Sequence, residues 1–244
     1  MSYNDANSHP RDRRVTFEPD EHIYIVDGTL RCDSVTTVIA DYFEKFDADY
    51  WAERKATPLC SAEMLKAEWR AKADEASRLG TEMHARIEKY WLGDTQDEAA
   101  CADGAFRRFL QFAKDHSLTP YRTEWALFSE EYRIAGTLDF LGYSDGSFEM
   151  YDWKRSKKVV DSDGMPVISN FGRTGRYPLS HVPDTSFHHY ALQQSMYRYL
   201  LATKYGIDVD RCSLGVFHPD IPGYHVVEVP YLLEEVKAIL RQRQ

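Results

Sequence analysis

The sequence is short of cysteine, and the little it has is scattered: Cys32, Cys60, Cys101 and Cys212 never approach a C-x-x-C spacing in 244 residues. That pattern offers neither a zinc ribbon, an iron–sulfur cluster nor a disulfide framework, and it fits an intracellular reducing compartment. No run of about 18 apolar residues occurs, so no membrane-spanning helix is expected. Met1 to Arg14 carry charges without an apolar stretch, unlike a secretion signal or an anchor, and are expected to be a flexible tail. No stretch rich in proline, glycine and serine divides the remainder, so residues 15–244 are expected to form one domain. No internal repeat is visible. An excess of positive charge is missing too. The formal net charge is −9, which excludes a protein that coats nucleic acid by bulk attraction.

Apolar residues make up 43% of the chain and aromatics 14%, enough for a large buried core. Residues 15–117 are expected to hold a hairpin and helices. The hairpin is read at Val15–Phe17 and His22–Val26, with Asp27-Gly28 as a turn signal. Ser34 is placed to cap a helix through Val38, Ile39 and Phe43. Helices are expected over Asp47–Lys55 and Ser61–Leu79; Gly80-Thr81 then breaks the pattern and starts a new helix carrying His84, Ile87, Glu88 and Trp91. Another amphipathic helix covers Asp103–Lys114. From Leu118 the period changes, and Tyr121–Phe128, Tyr132–Gly142 and Ser147–Trp153 read as consecutive strands. A polar stretch, Ser156–Asp184, precedes a helix at Phe187–Lys204, strands at Cys212–Phe217 and Tyr224–Val229, and a terminal helix at Tyr231–Arg241. The expected fold is α/β, with a core over 118–244 ordered helix, three antiparallel strands, helix, strand around a small mixed sheet.

The chemistry concentrates on the second and third of these strands. Asp145-Gly146 is a strong signal for a two-residue hairpin loop. With Ser144 facing Ser147, counting back along both strands sets Asp139 opposite Asp152, with Cβ atoms about 5 Å apart. Lys154, two residues on, projects from the same face. Two carboxylates that close repel, and a bound cation is the usual resolution. The competing reading is a solvated hairpin with a cross-strand ion pair, but the flanking Leu138, Phe140, Tyr151 and Trp153 point to a strand entering the core. A turn at Glu130-Glu131 would set Glu124 opposite Thr137, diagonal to Asp139. Since relief of carboxylate repulsion should not harm the metal-free protein, Asp139→Ala is expected to leave stability unchanged.

In their order, these motifs resemble the PD-(D/E)XK nuclease superfamily, in its RecB-like exonuclease branch, which has members carried by large DNA viruses. Gly80-Thr81-Glu82-Met83-His84 with Ile87-Glu88 is similar to the branch's helical histidine motif, and Thr123-Glu124-Trp125 to its first-strand acid. Gly136-Thr137-Leu138-Asp139 resembles its central aspartate motif, Asp152-Trp153-Lys154 the (D/E)-x-K signature, and Gln193 to Tyr197 the Q-x-x-x-Y helix. Ser34-Val35-Thr36 resembles a small N-terminal motif of some members.

The resemblance implies a restriction-endonuclease-like core and one or two Mg²⁺ or Mn²⁺ ions held by His84, Glu124, Asp139 and Asp152, with the Trp153 carbonyl as a further ligand. Lys154 would assist the attacking water. Gln193 and Tyr197 would orient the site or touch the DNA backbone, and Ser34 and Thr36 would lie on the DNA side. A local basic set, Arg155, Lys157, Lys158, Arg173 and Arg176, would grip the strand. Relatives that carry an iron–sulfur cluster use cysteine spacings absent here, so no cluster is expected. The implied activity is hydrolysis of DNA, with RNA as the alternative substrate, by an exonuclease preferring single strands or free ends. A structure-specific endonuclease and an inactive adaptor of the same fold are the alternatives. The adaptor would be expected to have lost the signature acid or lysine, and both are here.

Overall fold

Short alternating runs draw residues 15–34 into a meander in the computed structural model, which describes residues 2–18, 21, 23–94, 102–144 and 146–243. Strands β1 (Val15–Glu18), β2 (Ile23–Val26) and β3 (Leu30–Ser34) pair antiparallel in succession. Asp27 and Gly28 do turn the chain, at φ of 50° and 73°, but they join β2 to β3. Leu30, Cys32 and Ser34 alternate with Arg31 and Asp33, a short strand pattern that the expected hairpin does not include. His22, Cys101 and Asp145, on which expectations fall, lie outside the described residues.

The first residues are not a loose tail. A helical turn, α1 (Tyr3–Ala6), and a 3-10 turn at Pro10–Arg14 are fastened to the sheet: Asn7 Nδ2 donates to the Tyr121 carbonyl at 3.0 Å, and Asp12 accepts from Trp125 Nε1 at 2.8 Å. Polar side chains here satisfy main-chain groups on a sheet edge, which an apolar-pattern reading does not detect.

Ser34 caps α2 (Val35–Ala40), its Oγ accepting from the Thr37 amide at 3.0 Å, and Asp47 caps α3 (Ala48–Lys55). The next helix, α4 (Ala62–Trp91), runs unbroken for 30 residues, so the expected break at Gly80 does not occur. A helical glycine costs only about 1 kcal/mol, and Thr81 Oγ1 bonds back to the Ser77 carbonyl at 3.1 Å instead of capping a new start. Asp103 caps α5 (Gly104–Asp115), which buries Phe106, Phe109 and Phe112.

Strands β4 (Thr119–Ser129), β5 (Ile134–Ser144) and β6 (Ser147–Lys154) follow in an antiparallel series. Helix α6 (Ser186–Leu200), extended by a π-helical turn to Gly206, carries the chain over to β7 (Arg211–Val216), parallel to β6. The antiparallel β8 (His225–Glu228) and α7 (Leu233–Arg241) follow. The result is a mixed α/β fold whose sheet joins the meander to the later strands through a short parallel contact of β3 with β5. The helix, three strands, helix, strand order is as expected. One apolar cluster packs α2, α6 and α7 on the sheet; a second, rich in aromatics, packs α4 and α5 on Phe140, Tyr151, Trp153 and Phe217. No helix among the described residues is long and apolar enough to cross a membrane.

Candidate metal centre

The site forms where the sheet comes apart. On one edge of β5, β3 pairs with Ile134 and Ala135 and β6 pairs from Phe140 onward. Residues 136–139 between them have no ladder partner on that edge among the described residues. Ser144 faces Ser147 and Phe140 faces Tyr151, the register expected from the Asp-Gly loop. One step further would set Asp139 against Asp152, but the strands part there. The Trp153 amide donates to Asp139 Oδ2 at 2.8 Å, so a side chain replaces the backbone acceptor. The face pattern slips at the same place: Leu138 belongs to the cluster under α6 and Phe140 to the aromatic cluster, whereas residues two apart in a regular strand share a face.

The other edge of β5 is irregular at the same level. Thr123 pairs with Phe140 and Trp125 with Leu138, and the position between them is unpaired. There Glu124 adopts φ 45°, a left-handed conformation that costs a non-glycine residue free energy and persists only where its surroundings impose it. The expected Glu130-Glu131 loop is wrong. Ser129 pairs with Ile134, so four residues make the turn, with Arg133 at φ 49°. The two-residue shift carries Glu124 from opposite Thr137 to opposite Asp139.

His84 comes to this point from α4. Its Nδ1 lies 3.7 Å from Glu124 Oε1 and 3.5 Å from Asp139 Oδ2, and its Nε2 lies 2.8 Å from the Trp153 carbonyl oxygen. One donor atom each from His84, Glu124 and Asp139 fall within 4.8 Å of one another, a group able to hold a metal ion. Glu88, one turn along α4, is not in it. The Trp153 carbonyl, expected as a ligand, is engaged by His84. Asp152 is also outside the group. Its Oδ2 lies 2.5 Å from Lys154 Nζ and its Oδ1 3.5 Å from Gln193 Nε2, so its partners draw it away.

The electrostatics fit a cation. Burial works against charge on His84, but Asp139 and Glu124 outweigh it and raise its pKa to about 9. Burial pushes the Asp139 carboxyl up, with Glu124 adding to it and His84 opposing. Asp152 is pushed up to about 6 by burial, with the Asp139 charge adding and Lys154 opposing. A proton on His84 thus stands in the crowd of acids where a metal would bring positive charge. Asp152 Oδ2 is a buried oxygen whose partner is the Lys154 ammonium. The donor set and its mutual repulsion fit a divalent ion.

Lys154 is half-buried, and its Nζ lies 4.0 Å from the Tyr190 ring centre. Burial disfavours its charge, but Asp152 and Asp139 prevail and hold its pKa above the ordinary lysine value. Gln193 is 7% exposed and Tyr197 4%. Gln193 Nε2 lies 3.5 Å from both Asp152 Oδ1 and the Tyr197 hydroxyl. Gly136 lets Tyr197 approach, since a Cβ there would lie 2.5 Å from its hydroxyl.

The expected DNA-contact residues differ in exposure and in partners. Ser34 is buried as the α2 cap, while Thr36 is exposed. Lys157 pairs with Asp220 at 2.7 Å, and Arg155 is half-buried. Arg173 is held by Glu44 and Asp184 at 3.1 and 3.5 Å, and together with Lys158 it lines a cleft beside α6. Arg176 is exposed.

Two positioning residues escaped the sequence reading. Asn4 accepts from the Thr123 amide at 2.9 Å and donates to the Thr123 carbonyl at 3.1 Å. Asp12 binds Arg122 at 2.7 Å and Trp125 Nε1 at 2.8 Å. Together they grip the residues on either side of Glu124. Partners more than a hundred positions away leave no local signal.

No protein-family model matches the chain, and no curated protein does. A solved structure described as "Crystal structure of SSO0001" is similar over 86% of this chain and 74% of its own, with 14% identity and a TM-score of 0.35. A likeness that slight carries no argument about fold or function.

Proposed function

We propose that the protein is a divalent-metal-dependent nuclease of the PD-(D/E)XK, RecB-like kind, hydrolysing DNA from single-stranded or free ends. The observation that carries this reading is the meeting of His84, Glu124 and Asp139 beside the Asp152–Lys154 pair, in a gap of the sheet. The order of helix, three antiparallel strands, helix and parallel strand supports it, as does the intact (D/E)-x-K signature.

Two carboxylates and one imidazole suit Mg²⁺ or Mn²⁺, which would polarise a phosphoryl oxygen and ready a water for in-line attack. Lys154 stays protonated, so it acts as a donor and not as a base: it orients the attacking water and offsets charge building on the phosphate. Asp152 holds the lysine, and Gln193 with Tyr197 holds Asp152. Glu124 and Asp139 gather positive charge where the phosphate must approach, and burial strengthens that field.

The test is cleavage of end-labelled single-stranded, double-stranded and covalently closed circular DNA with Mg²⁺, Mn²⁺ or chelator. We expect metal-dependent loss of linear substrates, abolished in Lys154→Met and Asp139→Asn. Cutting of the closed circle would replace the exonuclease reading with an endonuclease. Cleavage that persists in chelator, or in both variants, would remove this mechanism.

A further inference from the structure

The cleft beside the site has the chemistry of a seat for unpaired nucleotides. It encloses about 970 Å³. One wall carries Phe46, Tyr50 and Trp51, which are 64%, 48% and 39% exposed. The lining also carries polar side chains, among them Lys158, Asn170 and Arg173. Large rings left in water forfeit burial worth roughly 25 cal/mol per Å², so three at one place mark a surface that takes a partner.

The rings are held in place. Tyr50 and Trp51 meet edge-on at 5.3 Å and Phe46 meets Trp69 at 5.5 Å. Helix α3 beneath them is capped by Asp47 and tied to α4 by a 2.8 Å Asp49–Lys66 pair. Positive charge interleaves with the rings: Arg54 lies 5.4 Å from the Tyr50 ring centre and Lys55 6.0 Å from that of Trp51. The acids of the cleft are engaged, since Glu44 and Asp184 pair with Arg173 and Asp47 caps α3. Lys158 has no acidic partner among the described residues. Rigid aromatic faces alternating with cations are how proteins hold single strands, where any base can stack and the backbone needs counter-charge.

The cleft also runs into the site. His189 lines it, and Gln193, one turn further along α6 and so about 6 Å away, reaches Asp152. We propose that this cleft binds single-stranded nucleic acid by stacking bases on Trp51, Tyr50 and Phe46 and by placing phosphates near Lys158, delivering the strand to the acids. The direction of delivery rests on the nuclease reading; the binding does not. Bases inside a duplex have no free faces, so the seat selects unpaired ends. A peptide groove would need an apolar floor, which these polar side chains do not supply.

The test uses the full chain in chelator, so that binding is read without cleavage. Anisotropy of a short labelled oligodeoxythymidylate and quenching of tryptophan fluorescence report occupancy. Trp51→Ala and Phe46→Ala should each weaken binding about tenfold, with Trp51→Phe restoring most of it. An abasic strand of equal length and a blunt duplex should bind far more weakly than the oligothymidylate. Equal affinity for the abasic strand, or unchanged affinity in both alanine variants with native melting curves, would overturn the seat. So would ring variants that alter only self-association in sedimentation, which would make the face a contact between copies. Normal binding without cleavage in Mg²⁺ or Mn²⁺ would remove the nuclease reading and leave the seat standing.

Discussion

Replacing Asp139 by alanine and by asparagine separates two tasks of one carboxylate. Asp139 faces His84 and Glu124, and its Oδ2 accepts the Trp153 amide at 2.8 Å. Judged from the sequence alone, Asp139→Ala should spare stability, since it thins a crowd of acids. The structure reverses that expectation. In the alanine variant the Trp153 amide has no acceptor, because β5 has already left β6 at that level, and an orphaned buried donor costs about 1–3 kcal/mol. His84 also loses a counter-charge. Relief of repulsion with Glu124 works the other way, but protonated His84 already offsets much of it, so the orphaned amide dominates. Each kcal/mol is worth roughly 2–4 °C in a chain of this size. Asp139→Ala in chelator should therefore melt roughly 2–12 °C below the parent. Asparagine keeps an oxygen for the amide and should melt near the parent temperature. Both variants should lose cleavage and the rise in melting temperature with Mn²⁺. Circular-dichroism melts with and without Mn²⁺ read all of this. Equal melting of the alanine variant and the parent, or equal losses for both variants, would refute the role given to the Asp139–Trp153 bond.

Four further outcomes follow. Gly80→Ala should raise the melting temperature by roughly 2–4 °C without changing cleavage, because nothing lies within 4 Å of the added Cβ and the helix is continuous; a fall would mean that the chain does break there. In chelator, stability should decline between pH 6.5 and 9. The raised His84 pKa, about 9, contributes stability that is complete below 6.5 and lost as the proton leaves, while Asp152, at about 6, is already ionised. Mn²⁺ affinity should rise over the same range, as the metal must displace that proton, and a flat affinity profile from titration calorimetry would exclude His84 as a ligand. Asn4→Ala removes two hydrogen bonds to the Thr123 main chain beside Glu124, together about 1–2 kcal/mol. Mn²⁺ affinity, read by electron paramagnetic resonance, should drop roughly tenfold, with Asn4→Asp recovering part of it. Unchanged affinity would mean that β4 holds the Glu124 bend unaided.

What the sequence alone determined was local. Helical periodicity predicted α2, α3 and α5, with Ser34 as the cap of the first, because a cap and its amide lie within three residues. The two-residue loop set the β5–β6 register up to Phe140 and Tyr151, because a hairpin counts outward from its turn. The residue types of the centre were legible for the same reason: His84, Glu124, Asp139, Asp152 and Lys154 sit in short motifs. Tertiary structure decided how those residues divide. The β4–β5 register hung on Arg133 entering a left-handed conformation that no residue type announces, and it moved Glu124 by two places. Asp139 and Asp152 would have faced each other had the ladder continued. Instead the Trp153 amide took a side-chain acceptor, the strands parted, and Asp152 went to Lys154 and Gln193 while Asp139 went to His84. Such outcomes rest on competition between partners distant in sequence for one hydrogen bond or one charge. Residues 2–14, fastened to β4 across more than a hundred positions, and the ring-lined cleft, walled by segments from both halves of the chain, come into being only when those segments meet.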